Sequence, residues 1–230
     1  MIKTEYYKDL TKMNTFRMRV KAKCFIEYDS VADLVDIEFE ELARPILHIG
    51  GGSNLLFTED FKGTVLHSKI NFIEVLDECQ GSEVLVSVGA GVVFDDFCDW
   101  AAKEALWGVE NLSYIPGEVG ASAVQNIGAY GVEVKDVIHR VYCYDTLEEE
   151  FVSFGVDECE YGYRDSVFKD PEIKGRYIVT HVVFELSREP RPCLEYGHLK
   201  SAVEAVAASD TLTPALIRKV IIKTRKEKLP

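Results

Sequence analysis

The sequence predicts an α+β fold with two subdomains, and three observations support this class. The opening third of the 230 residues has the order strand, helix, strand, glycine turn and strand. From Asn71 onward the sequence is rich in segments that alternate like antiparallel strands. Two helical patterns close the chain. We therefore predict one subdomain in residues 1–70 and a second, with a mainly antiparallel sheet, in residues 71–230.

The elements of the first subdomain follow from hydrophobic periodicity. Residues 16–24 alternate strictly between apolar and basic side chains, which is typical of a half-buried strand. Residues 30–42 carry apolar side chains at helical spacing, with Ser30 as the N-cap. Residues 45–49 form a short apolar strand before the glycine turn. Further short strands are predicted at residues 55–57 and 64–66.

The second subdomain begins with a predicted hairpin of residues 72–76 and 84–88, joined through Gly81 and Ser82. A helix is expected over residues 94–106, because its apolar positions recur at helical spacing and Gly108 follows. Residues 111–131 contain four glycines and little periodicity, which indicates a long structured loop or a chain of short turns. The remaining predicted elements are strands at 137–144, 150–152 and 177–186 and helices at 199–208 and 214–228, the last with Thr213 as N-cap.

Composition excludes some classes of function. The chain has 26 basic and 39 acidic residues, a net charge of −13, so general binding to nucleic acid is disfavoured. Its apolar runs are too short to span a bilayer and its first residues do not form a signal peptide, which predicts a cytoplasmic protein without membrane contact. Six dispersed cysteines and five scattered histidines lack metal-site spacing. We expect free buried thiols and no metal.

The closing helix reverses the charge balance of the rest of the chain. Residues 218–228 contain six basic side chains and one acidic side chain. A solvated helix whose cations oppose its C-terminal dipole explains most such runs. The alternative is a local site for a phosphate-bearing ligand, and charge alone favours the first interpretation.

Two glycine-bearing segments could carry a ligand. Residues 50–54, Gly-Gly-Gly-Ser-Asn, follow a strand, but they match neither a dinucleotide fingerprint nor a P-loop. A hairpin turn is the more economical interpretation, and a phosphate cradle of backbone amides is the alternative. Residues 115–131 are rich in small side chains and contain no cation. They would suit close packing against a flat ligand or a tight structural crossover, with Ser122, Gln125 and Asn126 as polar groups.

Five motifs occur together in one order along the chain. They are Asn14-Thr15-Phe16, residues 51–54, residues 115–117, residues 125–131 (Gln-Asn-Ile-Gly-Ala-Tyr-Gly) and residues 161–166 (Tyr-Gly-Tyr-Arg-Asp-Ser). In this arrangement the sequence closely resembles the larger form of the bacterial UDP-N-acetylenolpyruvoylglucosamine reductases of peptidoglycan synthesis. The resemblance extends from Asn14 to the end of the chain.

The resemblance implies a two-part FAD-binding fold of the vanillyl-alcohol-oxidase type, a non-covalent FAD and NADPH as hydride donor. The substrate would be UDP-N-acetylglucosamine enolpyruvate, and no protein partner is evident. The residues that match the family's cofactor contacts are Asn14, Thr15, Gly50, Gly51, Gly52, Ser53, Asn54, Gly89, Ala90, Gly91, Ile115, Pro116, Gly117, Gly120, Ala121, Ser122, Asn126, Gly128 and Ile178. Those that would face the UDP-sugar are Tyr130, Tyr163, Tyr196 and Lys228.

The implied catalytic residue in this chain is Arg164. A guanidinium is always ionised, so it can stabilise the enolate-like charge beside the substrate carboxylate without giving up a proton. For an arbitrary arginine in this context, a surface ion pair with Asp165 would be the simpler interpretation. The family's proton-donating serine and late glutamate would follow Pro230, so we expect a chain without the third, substrate-binding domain and without complete activity. The alternatives are a non-catalytic flavin- or nucleotide-sugar-binding module and a different FAD oxidoreductase of the same fold.

Overall fold

The computed structural model describes residues 1–78, 81–207 and 211–228. Cys79, Leu229 and Pro230 lie outside these ranges. So does Ala208, the residue at which the helix predicted at 199–208 was expected to end. Two sheets account for most of the strands. The first sheet contains β1 (Lys3–Asp9), β2 (Lys21–Tyr28), β3 (Ile46–Ile49) and β4 (Phe61–Ser68) in the order β1-β2-β4-β3.

The first sheet is mixed. β1 pairs antiparallel with β2, whereas β2, β4 and β3 run parallel to one another. The carboxyl ends of these three strands therefore lie along one edge, next to the glycine turn after β3. Because β3 and β4 are parallel, the interpretation of residues 50–54 as a hairpin turn is wrong. Residues 55–57, predicted as a strand, form none, and β3 is the edge strand of the sheet.

The second sheet is antiparallel throughout, with the order β10-β9-β11-β6-β5. The predicted hairpin and the three later strands are present. The strands of this sheet are β5 (Ile73–Glu78), β6 (Glu83–Gly89), β9 (Ile138–Asp145), β10 (Glu150–Gly155) and β11 (Tyr177–Ser187). A separate two-stranded ladder joins β7 (Gly128–Ala129) and β8 (Val132–Glu133). The α+β class with a mainly antiparallel second sheet is confirmed.

Five α-helices accompany the sheets in the described ranges: α1 (Val31–Val35), α2 (Phe94–Lys103), α3 (Val119–Gln125), α4 (Leu199–Ala207) and α5 (Pro214–Lys228). Ser30 caps α1 as predicted, accepting a bond of 3.0 Å from the Asp33 amide. However, α1 ends seven residues before the predicted end, because Ile37 and Phe39 reach the core from turns. The segment 111–131, predicted as loop, contains α3.

The N-terminal region differs from the sequence prediction in two places. The segment 16–24 is a strand only from Lys21, and Phe16 is 62% exposed. The preceding residues form turns, with the Met13 amide bonded to the Leu10 carbonyl and the Arg17 amide to the Asn14 carbonyl. β1 has no alternation of apolar and polar residues, so its sequence does not predict a strand.

The two sheets pack through a shared hydrophobic cluster. Tyr28 and Leu66 of the first sheet and Leu34 of α1 belong to one buried cluster with Tyr144 and Ile178 of the second sheet. A larger core fills the space between the second sheet and helices α2 and α3. Together these clusters leave a cleft along the carboxyl edge of the parallel strands. The proposed domain boundary at residue 70 falls between β4 and β5 and stays a prediction.

Candidate functional site

The cleft has a volume of about 610 Å³, which is within the usual range for small-molecule sites. Its walls come from the carboxyl end of β3, the glycine turn, residues 115–118, α3 and residues 164–175. Thus the two segments that the sequence singled out, 50–54 and 115–131, face each other. Of the residues predicted to contact a cofactor, those that line the cleft are Gly50, Gly51, Gly52, Ser53, Asn54, Ala90, Ile115, Pro116, Gly117, Gly120, Ala121, Ser122 and Gly128.

The glycine turn approaches two neighbouring backbones too closely for side chains. Gly52 has a φ of +65°, and a Cβ there would lie 1.9 Å from the Met13 carbonyl oxygen. A Cβ on Gly51 would lie 3.3 Å from the Cα of Gly117 on the opposite wall. The Ser53 hydroxyl crosses the same gap and donates to the Pro116 carbonyl at 3.1 Å. This part of the cleft is therefore a cradle of backbone groups.

Asn14 and Thr15 support the turn from behind instead of lining the cleft. The Asn14 amide group donates to the carbonyls of Leu10 and Met18 at 2.8 and 3.2 Å. The Thr15 amide donates to the Gly52 carbonyl at 3.3 Å. Their place in the fold explains a structural role, and their predicted contact with a cofactor stays a prediction.

Helix α3 packs directly on the turn that follows β6. The Gly120 amide donates to the Ala90 carbonyl at 3.0 Å, and a Cβ on Gly120 would lie 2.8 Å from the Ala90 Cβ. The Ser122 hydroxyl, although it belongs to a lining residue, donates within the helix to the Val119 carbonyl. Gly89 and Gly91 lie beneath this contact against backbone carbonyls of Ile70 and Ser68 and do not line the cleft.

Arg164 reaches the cleft from a residue with a φ of +55°. Its guanidinium donates to the carbonyls of Asn126 and Gly128 at 3.2 and 2.5 Å. Its own carbonyl accepts bonds from Lys169 Nζ at 2.6 Å and Gln125 Nε2 at 3.3 Å. The guanidinium is thus held by backbone carbonyls, and within residues 81–207 it forms no ion pair with Asp165, the simpler expectation.

Asn126 and Ile178 lie outside the cleft lining. Asn126 is fully buried with a φ of +45°, and its side-chain amide donates to the Gly162 carbonyl and Glu133. It therefore shapes the carbonyls that hold Arg164. Ile178 is 2% exposed within the cluster that joins the two sheets.

The four residues predicted to face a UDP-sugar also lie outside the lining. Tyr130 and Tyr196 are in edge contact with ring centroids 6.0 Å apart. Tyr163 is 84% exposed, and its ring centroid is 5.6 Å from the Arg164 guanidinium. Lys228 is exposed at the end of α5. Of the four, the structure brings only Tyr130 and Tyr196 into contact with each other, and the substrate contacts of all four stay predictions.

The charged side chains that line the cleft are mostly basic, although the chain is acidic overall. Four cations, Arg164, Lys169, Lys174 and Arg225, face a single carboxylate, Glu118, among the described lining residues. A concave site with this balance concentrates anions. The cleft is therefore suited to an anionic ligand.

The basic residues of 218–228 do not all play one part. Most are consistent with a solvated or ion-paired helix, and one lines the cleft. Arg218 binds Asp95 and Asp99 of α2 and is only 11% exposed. Arg225 lines the cleft and donates to the Tyr114 carbonyl at 3.1 Å. The other four cations are exposed. The less favoured interpretation, a local anion site, covered Arg225 only as a member of the run, whereas Lys169 and Lys174 gave no sequence signal.

His48 is a lining residue that sequence reasoning missed. It lies in β3, two residues before the glycine turn, and its Nε2 is 2.7 Å from the Tyr28 hydroxyl. Burial, assisted by the charge of His67, lowers the pKa of His48 to about 4, so its imidazole is neutral near pH 7. Its position at the carboxyl end of a parallel strand was the available signal.

No helix in the described part of the chain is long and apolar enough to cross a bilayer. Within residues 1–78, 81–207 and 211–228, no three His, Cys, Asp or Glu side chains form a group that could hold a metal ion. The five cysteines in these ranges are free thiols, and four of them are buried.

Comparison with known proteins adds three findings. The family model described as "FAD binding domain" matches residues 22–150. The UDP-N-acetylenolpyruvoylglucosamine reductase of Bacteroides fragilis is 51% identical over 222 residues, which is 96% of this chain and 65% of that protein. The chain thus spans about two thirds of the length of this relative.

Two solved structures share the fold. The UDP-N-acetylenolpyruvylglucosamine reductase of Thermus caldophilus aligns with a TM-score of 0.69 and 21% identity, covering 98% of this chain and 70% of the other. The 6-hydroxy-D-nicotine oxidase of Arthrobacter nicotinovorans aligns with a TM-score of 0.56 and 20% identity, covering 90% and 48%.

Proposed function

The chain belongs to the FAD binding domain family, and from this premise we propose that its cleft holds FAD for the reduction of UDP-N-acetylglucosamine enolpyruvate. The observation that carries the substrate assignment is the 51% identity to the UDP-N-acetylenolpyruvoylglucosamine reductase of Bacteroides fragilis over 96% of this chain. The product would be UDP-N-acetylmuramate, a precursor of peptidoglycan. NADPH would supply the hydride, and the reaction would take place in the cytoplasm.

The residues of the cleft fit FAD. The close approach of Gly51 to Gly117 leaves backbone groups, instead of side chains, to meet a diphosphate. The four lining cations match its negative charge. Ile115, Pro116 and the small residues of α3 offer a surface of low relief for a flat ring. The proposed contacts are those predicted from the sequence, with His48 added.

FAD, when bound, would carry a hydride from NADPH to the carbon–carbon double bond of the substrate. The protein's part is positioning and charge stabilisation. Arg164 would direct a guanidinium toward the charge that develops beside the substrate carboxylate. Two of its five N–H donors are bonded to the carbonyls of Asn126 and Gly128, so three remain for a ligand. Because the two carbonyls fix the plane of the group, little reorganisation is needed when the charge appears.

The substrate would extend from Arg164 toward solvent. Tyr163 stacks beside the guanidinium, which supports a role for that ring at the mouth of the cleft. Tyr130, Tyr196 and Lys228 would contact the nucleotide-sugar farther out. We further propose that substrate capping and proton donation come from a region of the complete reductase that corresponds to the remaining third of the relatives' length.

The first experiment measures flavin binding and turnover together. Purified chain is loaded with FAD, and NADPH oxidation is followed with and without UDP-N-acetylglucosamine enolpyruvate. We expect flavin binding with substrate-dependent turnover at least about 100-fold below that of a full-length reductase, since one positioned proton donor contributes 10²–10⁴-fold. Absence of flavin binding would contradict the FAD assignment. Turnover equal to that of the full-length enzyme would show that residues 1–230 contain the whole site.

A second experiment tests non-covalent binding. No His or Cys lies in the flavin-lining motifs, which supports non-covalent binding, but His48 lines the cleft. Nε2 of His48 is hydrogen-bonded to the Tyr28 hydroxyl, which supports a packing role for this imidazole. We expect acid precipitation to release all the flavin into the supernatant. A yellow pellet would contradict non-covalent binding, and a His48→Gln variant would then identify the attachment site.

A further inference from the structure

The single carboxylate among the described lining residues is held by a buried histidine. Oε1 of Glu118 lies 3.0 Å from Nε2 of His67, and Nδ1 of His67 lies 3.0 Å from Oε1 of Glu27. His67 is 4% exposed and Glu118 is 8% exposed. The imidazole therefore joins β2, β4 and the residue that precedes α3.

This chain of hydrogen bonds reaches both walls of the cleft. Glu118 precedes α3, whereas Gly50 begins the glycine turn on the opposite wall. A Cβ on Gly50 would lie 3.3 Å from Oε2 of Glu118 and 2.8 Å from the Cβ of Ala121. Because the glycine turn rests directly against this carboxylate, the bond from His67 to Glu118 sets the spacing between the turn and α3.

The charged and titratable groups around His67 favour its protonated form. Burial by itself would lower the pKa of His67, but the hydrogen bond and charge of Glu118, assisted by Glu27, outweigh burial and raise the pKa above its ordinary value. Lys69 opposes this effect. His48 stays neutral nearby, as described above. Burial keeps Tyr28 neutral by raising its pKa.

We propose that His67 is a positioning residue for the anionic cofactor, which acts by holding Glu118 against the glycine turn and by offsetting the charge of that carboxylate with its own proton. The inference rests on the proposed binding of FAD. Without the imidazole, Glu118 would be an unpaired anion in a cleft that must accept an anionic ligand. His67 thereby converts an acidic side chain in the cleft from a repulsive group into a spacer.

The test uses His67→Gln, Glu118→Gln and the double variant, with His139→Gln as the matched control. His139 is 46% exposed and lies 3.8 Å from Glu185, outside the cleft. The flavin-free protein is titrated with FAD, and quenching of flavin fluorescence gives the Kd between pH 6 and 9. Urea unfolding of the same flavin-free proteins separates loss of stability from loss of binding.

We expect His67→Gln to raise the Kd for FAD about tenfold at pH 6.5, and Glu118→Gln in that background to restore most of the affinity. Wild-type affinity should fall as the pH rises through the raised pKa of His67, whereas the His67→Gln curve should be flat. The stability that His67 contributes should be complete below pH 6.5 and should decline over the same upward range. His139→Gln should match the wild type.

The outcomes distinguish this inference from the proposed function. A wild-type chain that binds no FAD contradicts both. A wild type that binds FAD, with His67→Gln equal in Kd and in pH dependence, overturns the inference alone. The inference is also overturned when His67→Gln lowers stability and Glu118→Gln fails to restore affinity in that background, because His67 would then be purely structural.

Discussion

Two regions of the cleft lining, here called the backbone wall and the polar wall, are built from different groups. The backbone wall combines two segments that face each other, residues 50–53 and 116–120; a Cβ would lie 1.9 Å from the Met13 carbonyl oxygen at Gly52 and 2.8 Å from the Ala90 Cβ at Gly120. The polar wall, around Arg164, consists of long polar side chains held by carbonyl groups. The first wall can change only by moving the main chain, whereas the second can exchange hydrogen bonds while the fold stays intact.

The backbone wall therefore determines the shape of the cleft, and the polar wall determines its charge. Substitutions in the backbone wall should affect folding and binding together, because the glycine turn is also packed against residues 13–15. Substitutions in the polar wall should leave the fold largely unchanged and alter catalysis or affinity. Three substitutions test this separation, in decreasing order of expected effect.

Gly52→Ala should have the largest effect. Alanine would have to adopt a φ of +65° with its Cβ 1.9 Å from the Met13 carbonyl oxygen. We expect the free energy of unfolding to fall by about 3 kcal/mol or more, from the left-handed backbone and the forced displacement of residues 13–14. Urea unfolding of the flavin-free chain measures the change, and FAD binding should be lost with it.

Gly175→Ala is the matched control for the backbone wall. Gly175 also lines the cleft and has a φ of +84°, but a Cβ there would meet nothing within 4 Å. The left-handed backbone alone should cost about 1–2 kcal/mol. If the free energy of unfolding fell equally in the two variants, the close approach of Gly52 to Met13 would contribute nothing. The contrast between the backbone wall and the polar wall would then be wrong.

Arg164→Lys should lower kcat about 100-fold in a full-length reductase, the lower end of the effect of removing one positioned donor. A single ammonium cannot bond both carbonyls and also present a planar group to the substrate. Steady-state NADPH oxidation gives kcat and KM, and unfolding should be nearly unchanged. Arg140→Lys, whose side chain bonds Ser153 outside the cleft, is the control. An unaltered kcat would remove Arg164 from the proposed mechanism.

Lys169→Met should have the smallest effect of the three. It removes the 2.6 Å bond to the Arg164 carbonyl and the longer 3.3 Å bond to Oε1 of Gln125, and it leaves the guanidinium in place. Loss of the shorter bond, about 1 kcal/mol, corresponds to a roughly fivefold lower kcat in the same enzyme. Lys169→Arg should recover most of this loss. Lys174→Met removes a lining cation without a bond to this loop, so a larger effect there would contradict a positioning role for Lys169.

Elements with strong local patterns were predictable. The β5–β6 hairpin, α2 and α5 have regular apolar spacing with turn or cap residues at their ends, and local physics suffices to form them. Helix α3 was not predictable in this way. Its sequence, Val-Gly-Ala-Ser-Ala-Val-Gln, has small side chains and weak helical preference. It forms because Gly120 packs on Ala90 and its first amides find carbonyls on the turn after β6.

The candidate site divides along the same line. The resemblance carried by the five motifs pointed to the segments of both cleft walls and to Arg164, and the structure places them around one cleft, while their ligand contacts stay predictions. His48, His67 and Lys169 lay outside that prediction, since each gains its role from a partner that only the fold brings to it: Tyr28, Glu118 and Arg164.

The sequence by itself determined which segments are glycine-rich or charged and which strands and helices can form. Only the tertiary structure decided that His67 meets Glu118, because parallel pairing of β2, β4 and β3 brings their carboxyl ends to one edge.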